Sequence, residues 1–600
     1  MNSASVKDTV TTLSRLFLHL CRTYHKPEQM LSKIEGLYRP ISGVKIESLV
    51  RRLSLGFRAL GLRPGDKVII LSENRPEWVI TDFSVLCAGA VTVPIYTSLM
   101  PEQIKFLIND SEAKIIVCSN RDLWRKVEAV RNGLPRLEHA VMIEEETPEG
   151  LLTLSEVMSL GTSAGASDPA LFDAAAEAVR PGDLASIIYT SGTTGRSKGV
   201  MLSHGNFVSN IKSLDAVVPF TPADTVLSFL PLSHVLERTA TFLSLYNGCT
   251  IVYAESVESV AANLVEVRPT IMVSVPRLFE KIYRKVMDQV LESSALRKGI
   301  FFWAIKTGKA YAAKTIAGER VPVRLAFRHA IAHKLVFTKI LAKTGGRVKF
   351  FVCGGAPISP DIVEFFYALG LVILPGYGLT ETAPVLSGNT LDDYRIGTVG
   401  KPIPGVEIKI AADGEILARG PNVMLGYYKN EIETKEVMEG GWLHTADVGH
   451  LDEDGFLVIS DRKKDLIVTS GGKNVAPQPI ESLLLMNPYI RSAVVLGDRR
   501  KFVSALIVPN FEKLEAYARA HGIPFKDRPG LCRRMEVTSF LLAEIQRATP
   551  DLASYERIKK IAVLDRDFEI DAGEVTPTLK VKRNIVEEKY KDLIDTLYRD

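Results

Sequence analysis

The sequence predicts an α/β protein: a large N-terminal domain of parallel sheets flanked by helices plus a small β-barrel, followed by a smaller α+β C-terminal domain. Three observations carry this. Short β-branched runs (KVIILSE, AKIIVCS, SIIYTS, TVLSFLP, TIVYA, TIMVSVP) alternate with helical patterns, the order expected of strands joined by crossover helices. Past Gly397 the runs shorten and Gly, Pro and Asp turns multiply (GTVGKPIPGVEIKI, GEILARG, GFLVIS), which suggests a small antiparallel barrel or sheet. Around Asp461 the character shifts to the charged string SDRKKDLI, and a new set of helices and strands begins. At 600 residues the chain is too long for one ordinary core. The domains are therefore placed at 1–460, with the barrel part at about 397–460, and at 461–600. No long flexible linker separates them, so a short hinge at Asp461 must carry any relative motion.

The elements follow in order. TLSRLFLHLCRTYHK has the pattern of an amphipathic helix, and Glu47 to Leu60 reads as a helix before the strand KVIIL. The longest uncharged stretch, Phe83 to Pro101, approaches the length of a membrane span. Gly89, Pro94 and Pro101 interrupt it, so it reads as helix, turn and strand. Leu184 to Thr190 reads as a buried strand, and LSHGNFVSNI opens a helix with Ser203 and His204 near its cap. VKFFVC and LVILPG are strands that lead into GGAP and GYGLTET. Beyond Asp461 come a helix start at PQPIESLLL and the strands IRSAVVLGD and FVSALIVP.

Composition bounds the function classes. Hydrophobic content of 46% and charged content of 24% are those of a globular protein, and a net charge of +4 gives no argument for nucleic acid. Six scattered cysteines without a CxxC pair read as core residues of a reducing compartment, not as a disulfide frame or zinc site. MNSASVKDTV carries no secretory signal, so the expected location is cytoplasmic. One stretch stands apart: residues 295–349 hold thirteen Lys or Arg and a single acid, Glu319, with Phe301, Phe302, Trp303, Tyr311, Phe327 and Phe337 interleaved. Basic amphipathic helices of this kind can lie on anionic membranes, which would place the protein peripherally on the inner face. They also steer polyanions, or serve simply as a solvated face.

The string YTSGTTGRSKGV, Tyr189 to Val200, is the strongest chemical signal. Strand, glycine-rich turn and following helix together read as an anion site, because free backbone N–H groups converge there. Hydroxyls of Thr190, Ser191, Thr193 and Thr194 add donors around Gly192 and Gly195, and Lys198 adds a charge. The spacing is not that of a Walker loop, because the two glycines are three apart and the lysine precedes Gly199.

This loop resembles the phosphate-binding signature of the acyl-adenylate-forming superfamily, and the likeness continues through LPLSHVLERT, GYGLTE, WLHTADVG, SDRKKDLIVTSGGKN and TPTLKVKR, in family order. It covers nearly the whole chain. Within the superfamily the chain is most similar to long-chain fatty acyl-CoA synthetases, through GAVTVPIYTSL, RPTIMVSVPRLFEKIY, the basic helical stretch and GEVTPTLKVKRN. The resemblance implies ATP-dependent activation of a long-chain fatty acid: acyl-AMP forms with release of pyrophosphate, then coenzyme A takes the acyl group and AMP leaves. Adenylation alone, with transfer to a carrier protein, and a silent lipid- or nucleotide-binding protein are the alternatives.

Joining a carboxylate to ATP brings two anions together, so the enzyme must supply positive charge, oriented donors and in-line placement. The resemblance assigns those tasks. Glu381 in GYGLTET would bind Mg²⁺, a hard cation that prefers oxygen, and Thr380 would donate to the α-phosphate. Gly376, Tyr377 and Gly378 would face adenine, with Gly355, Ala356 and Pro357 of the GGAP turn on the other side. Asp447 would hold the ribose hydroxyls, and Arg462 would be a second ribose or phosphate contact. Lys580 is set at the catalytic lysine of TPTLKVKR, although Thr578 and Leu579 replace the superfamily's Ser-Gly, which leaves Lys582 as the alternative. His234 would line the acyl and thioester site. The loop Gly471, Gly472, Lys473 would admit the pantetheine arm of coenzyme A after rotation about Asp461. Leu232, Ser274, Val275 and Pro276 are the candidate walls of the acyl pocket.

Overall fold

Two parallel-rich sheets form the bulk of the protein. The computed structural model describes residues 7–191, 197–463, 465–550, 552–569, 572–575 and 581–599. Among them, one sheet of eight strands runs in the order Gly426–Tyr427, Ser197–Ser203, Leu184–Ser191, Val91–Ile95, Lys67–Leu71, Ile115–Cys118, His139–Met142, Leu152–Thr153. Its last six strands are mutually parallel, and the first two pair antiparallel. A second sheet of nine strands centres on the parallel set Val372–Gly378, Phe350–Cys353, Ile271–Ser274, Thr225–Ser228, Thr250–Tyr253 and Met30–Ile34. Strands such as Val-Ile-Ile-Leu at 68–71 are buried throughout, as expected where helices cover both faces.

The longest uncharged stretch forms the helix Pro76–Cys87, a turn and the strand Val91–Ile95. Behind it lies a fully buried ion pair: Arg238 donates to Asp82 through Nε (2.8 Å) and Nη2 (2.6 Å), and through Nη1 to Ser186 Oγ (2.6 Å). The rings of Trp78, Phe207 and Phe242 surround the guanidinium. This one side chain ties the helix Pro76–Cys87, the strand Leu184–Ser191 and the helix Val235–Tyr246 together.

Past Gly397, the strands Glu407–Ile410, Glu415–Arg419, Trp442–Leu451, Met438–Glu439 and Leu457–Arg462 form an antiparallel sheet. Met438–Glu439 and Leu457–Arg462 lie end to end along one edge of the ten-residue strand Trp442–Leu451. That shared edge makes the sheet branched, and its ladders do not close into a ring among the described residues.

Beyond residue 464, the strands Ile490–Leu496, Ser504–Pro509 and Lys560–Val563 form a mixed sheet backed by Pro477–Leu484, Met535–Ala548 and Lys591–Leu597. Two apolar clusters here are built only from residues 467 onward. Arg284 Nη1 to Ile490 O (3.4 Å) and an ion pair between Lys513 and Asp288 connect this part to the larger one.

The basic stretch is a helical hairpin. Ala295–Ile316 and Val323–Ala332 stack Tyr311 on His329 (4.0 Å between ring centroids), and the second arm continues through a π-helical turn, His333–Phe337. Phe337 is buried. Gly308 seats the hairpin on the helix Pro360–Ala368, since a Cβ there would meet Ala368 O at 2.4 Å. Val323, Phe327, Ile331 and Leu335 remain exposed at four-residue spacing. Such a stripe drifts around an α-helix, and the wider π turn reverses the drift at Leu335. No described helix is long and apolar enough to cross a membrane.

Candidate active site

The carboxyl ends of the parallel strands converge on a cavity of about 520 Å³. Ligands of open α/β sheets bind at this end because loops and helix N-termini, not side-chain-filled strand interiors, face it. The wall takes Ile188–Thr190, Ser197 and Lys198 from the first sheet, Val352–Gly355 and Leu374–Gly378 from the second, and Leu443–Asp447 and Arg462 from the antiparallel sheet. Asp465 and Lys582 add residues from the C-terminal part.

Across this cavity the hydroxyl of Tyr377 donates to Asp447 Oδ2 (2.7 Å), and Arg462 Nε lies 3.2 Å from Asp447 Oδ1. Asp447 and Arg462 are cross-strand partners, which fixes that pair by register. Burial and the neighbouring carboxylate push the Tyr377 phenol well above its ordinary value, so it stays a donor. Gly378 is required by close approach, since a Cβ would meet Pro384 O at 1.8 Å. Gly355 is required by its backbone, at φ +80°.

Glu381 stands on the short helix Thr380–Thr382, and Tyr427 donates to its Oε1 (2.9 Å). The ring of the same tyrosine lies 5.2 Å from Lys198 Nζ. A single positioned carboxylate fits Mg²⁺, which keeps waters and substrate phosphates for its remaining positions. His234 caps the helix Val235–Tyr246, its Nδ1 accepting from Leu236 N (3.2 Å). That helix then contributes Leu236, Ala240 and Leu243 to an apolar wall shared with Val218, Phe220 and Leu374.

The predicted residues are distributed as follows. Thr190, Lys198, His234, Gly355, Gly376, Tyr377, Gly378, Thr380, Glu381, Asp447 and Arg462 all line the one cavity. Ala356 and Pro357 sit exposed on the same turn, off the lining. Gly192, Thr193, Thr194, Gly195 and Lys580 lie outside the described residues, and Ser191 is placed by its backbone pairing with Ser197. Gly471, Gly472 and Lys473 form an exposed turn between Ile467–Val468 and Asn474–Val475, away from the lining. Asp461 is buried in the strand Leu457–Arg462, one oxygen accepting from Arg462 N (2.6 Å) and the other unpartnered.

Two expectations change. The phosphate loop does not run from strand straight into helix. The strand Ser197–Ser203 intervenes, with Thr190 opposite Lys198, so the helix His204–Asp215 begins a full strand length from the turn. At about 3.3 Å per residue, its N-terminal field is spent before reaching the loop. Leu232, Ser274 and Pro276 fall outside the residues that line the cavity, and Val275 lies just behind the wall with its Cγ1 against Gly355. Side chains alternate along a strand, so Val273 takes the cavity face and Ser274 the opposite one. The reading also passed over Tyr427 and Glu433, whose signal was the Gly-Tyr-Tyr and Asn-Glu-Ile-Glu-Thr run at 426–434.

With this geometry in view, the comparisons with known proteins are decisive for the family. The AMP-binding enzyme family model matches residues 26–428, and the AMP-binding enzyme C-terminal domain model matches 464–600. The long-chain-fatty-acid–CoA ligase FadD15 of Mycobacterium bovis is 37% identical over 569 residues, 94% of this chain and 93% of that protein. The peroxisomal long chain acyl-CoA synthetase 7 of Arabidopsis thaliana is 30% identical over 98% of this chain and 87% of its own. Among solved structures, ATP-bound MatB from Rhodopseudomonas palustris superposes with TM-score 0.69 at 25% identity, covering 97% of this chain and 99% of its own. The anthranilate CoA ligase AuaEII with anthranoyl-AMP superposes with TM-score 0.74 at 20% identity, over 98% of both chains. The two family-model matches and the long, closely covered relatives lead to one conclusion: the chain belongs to the AMP-binding enzyme family.

Proposed function

We propose that the protein is an ATP-dependent long-chain fatty acid:CoA ligase. It forms acyl-AMP with release of pyrophosphate, then transfers the acyl group to coenzyme A. One observation carries the reading. The polar wall bearing Thr190, Lys198, Glu381, Asp447 and Arg462 and the apolar wall bearing Phe220, Ala240 and Leu243 belong to a single cavity, as adenylating a hydrocarbon acid requires. The long-chain ligase relatives support the substrate class.

The acid enters ionised, since carboxyl groups titrate near ~4, and needs no base. Its carboxylate reaches the cavity beside the N-terminus of the helix Val235–Tyr246, whose partial positive charge favours an anion. Asp447 and Arg462 hold the ribose, with Tyr377 fixing the aspartate. Lys198 and Thr190 take phosphate oxygens. Mg²⁺, when bound through Glu381, supplies charge neutralisation between the phosphates. A lysine of the 580–582 segment neutralises the charge that crowds together as carboxylate meets α-phosphate.

Thioester formation requires that lysine to withdraw. We assign the swing to a hinge at Asp461 between domains 1–460 and 461–600, with the Gly471, Gly472, Lys473 turn admitting coenzyme A. The exposed stripe on 323–335, flanked by Arg324, Arg328 and Lys334, serves as a contact for anionic lipid, the source of the substrate.

The test is thioester formation across saturated acids from acetate to a twenty-carbon chain, with Lys580→Ala alongside. Long chains should be preferred, and the variant should lose adenylation yet still consume preformed acyl-AMP and coenzyme A. Equal loss of both half-reactions would contradict the swing.

A further inference from the structure

We infer that Glu433 is a counter-ion latch on Lys198, which the triphosphate of the incoming nucleotide must open and which closes again as pyrophosphate leaves. The inference rests on the reading of Lys198 as a phosphate ligand. Glu433 Oε2 lies 2.9 Å from Lys198 Nζ, and the two side chains are only 21% and 18% exposed. The cavity's phosphate-side lysine is thus neutralised by a carboxylate of the same chain.

The latch is built in, not a chance surface encounter. Glu433 belongs to the first turn of the helix Glu431–Val437. Its N–H donates to Asn430 Oδ1 (3.2 Å), and Asn430 Nδ2 donates to its Oε2 (2.6 Å), so the carboxylate is held from its own backbone side. The preceding strand Gly426–Tyr427 pairs with the strand that carries Lys198, through Gly426 opposite Met201 and Tyr427 opposite Val200, and Tyr428 N donates to Gly199 O (2.7 Å). Glutamate and lysine are therefore presented by two hydrogen-bonded neighbours. Tyr427 bridges the pair to Glu381, its ring under Lys198 and its hydroxyl on Glu381 Oε1. The latch thus shares its scaffold with the carboxylate proposed for Mg²⁺.

Physical chemistry gives the consequence. An anion approaching Lys198 competes with Glu433, so part of its attraction is spent on opening the pair. Even a solvent-exposed ion pair holds by up to about 1 kcal/mol, which is a factor of about five in anion affinity. The device weakens ATP and pyrophosphate alike, which favours release of the product that would otherwise reverse the reaction.

The experiment is steady-state kinetics on the full-length enzyme with Glu433→Gln, Lys198→Ala and the double variant. Glutamine keeps the acceptor for Asn430 and removes the charge. Glu433→Gln should lower the KM for ATP about fivefold and tighten inhibition by inorganic pyrophosphate in the same proportion, while in the Lys198→Ala background it should change neither. An unchanged or raised KM for ATP in Glu433→Gln, with Lys198→Ala raising it, overturns the latch and leaves the phosphate reading standing. A wild-type KM for ATP in Lys198→Ala removes the phosphate role itself, and the latch with it. Should Glu433→Gln fail to fold by thermal unfolding, Glu433→Asp, which draws the charge back by one methylene, must show the same two shifts to a smaller degree, and their absence overturns the proposal.

Discussion

Tyr377 and Asp447 meet across the cavity: the phenol donates to Asp447 Oδ2 at 2.7 Å and so joins the nine-stranded sheet to the antiparallel one. Both side chains are buried. A hydrogen bond to a charged group contributes about 1.5–3 kcal/mol. Removing it in Tyr377→Phe should lower the unfolding free energy by about 1.5–3 kcal/mol and raise the KM for ATP about tenfold in ATP–pyrophosphate exchange. A KM equal to wild type would mean that Asp447 is held well enough by Arg462 alone.

The buried Arg238–Asp82 pair sets the helix that carries both His234 and the apolar wall. Truncating one partner of such a pair leaves the other charge unpaired, which costs about 3–5 kcal/mol. Arg238→Met should lower the denaturant midpoint accordingly, and Arg238→Met with Asp82→Leu should recover most of it. A double variant no better than the single one would show that the pair's value lies in packing instead.

Asp461 gives the protein a pH signature. Burial raises its carboxyl from 3.8 to about 6. Because the folded state holds this proton more tightly than the unfolded chain, the group's contribution to stability falls as pH rises from about 4 to about 6 and stays lost above. Asp461→Asn keeps the acceptor for Arg462 N and removes the charge. It should be more stable than wild type by about 3 kcal/mol at pH 8, with the gap closing towards pH 4. Thermal unfolding at the two pH values reads this directly, and a gap independent of pH would refute the assignment.

Phe327 is 68% and Val323 81% exposed on the basic hairpin. Burying a phenylalanine side chain contributes about 1.5–3 kcal/mol, so Phe327→Asp should weaken binding to anionic phosphatidylserine-containing vesicles by at least about tenfold. Turnover on detergent-solubilised fatty acid should hold. Equal sedimentation of wild type and variant with those vesicles excludes this face as the contact.

Much of this was legible in the chain because its signals are local. Buried parallel strands announce themselves as β-branched runs, and Gly378 and Gly355 stand where backbone geometry permits little else. The polar residues of the cavity arrived in recognisable strings. What stayed hidden depends on which way a side chain turns and what lies next to it in space. Ser274 and Val273 are neighbours in sequence, and only strand pairing decides which one faces the cavity. Lys198 and Glu433 are 235 positions apart, brought together by a two-residue strand too short to read. The antiparallel partner of the strand Leu184–Ser191 is likewise unmarked in the chain, because SKGVMLS has no turn residue after Gly199 to set its edge.

All six cysteines are buried, and burial pushes their thiols upward, Cys532 to about 11 and Cys249 to about 12. Thiolate, not thiol, attacks a chromogenic disulfide. Free coenzyme A can therefore be titrated with Ellman-type reagents in aliquots withdrawn at intervals, without first removing the native enzyme, against an almost silent protein background. Cys353, on the cavity wall, is the one expected to colour slowly. Saturating nucleotide should quench even that trace, which turns a nuisance signal into a reporter of occupancy.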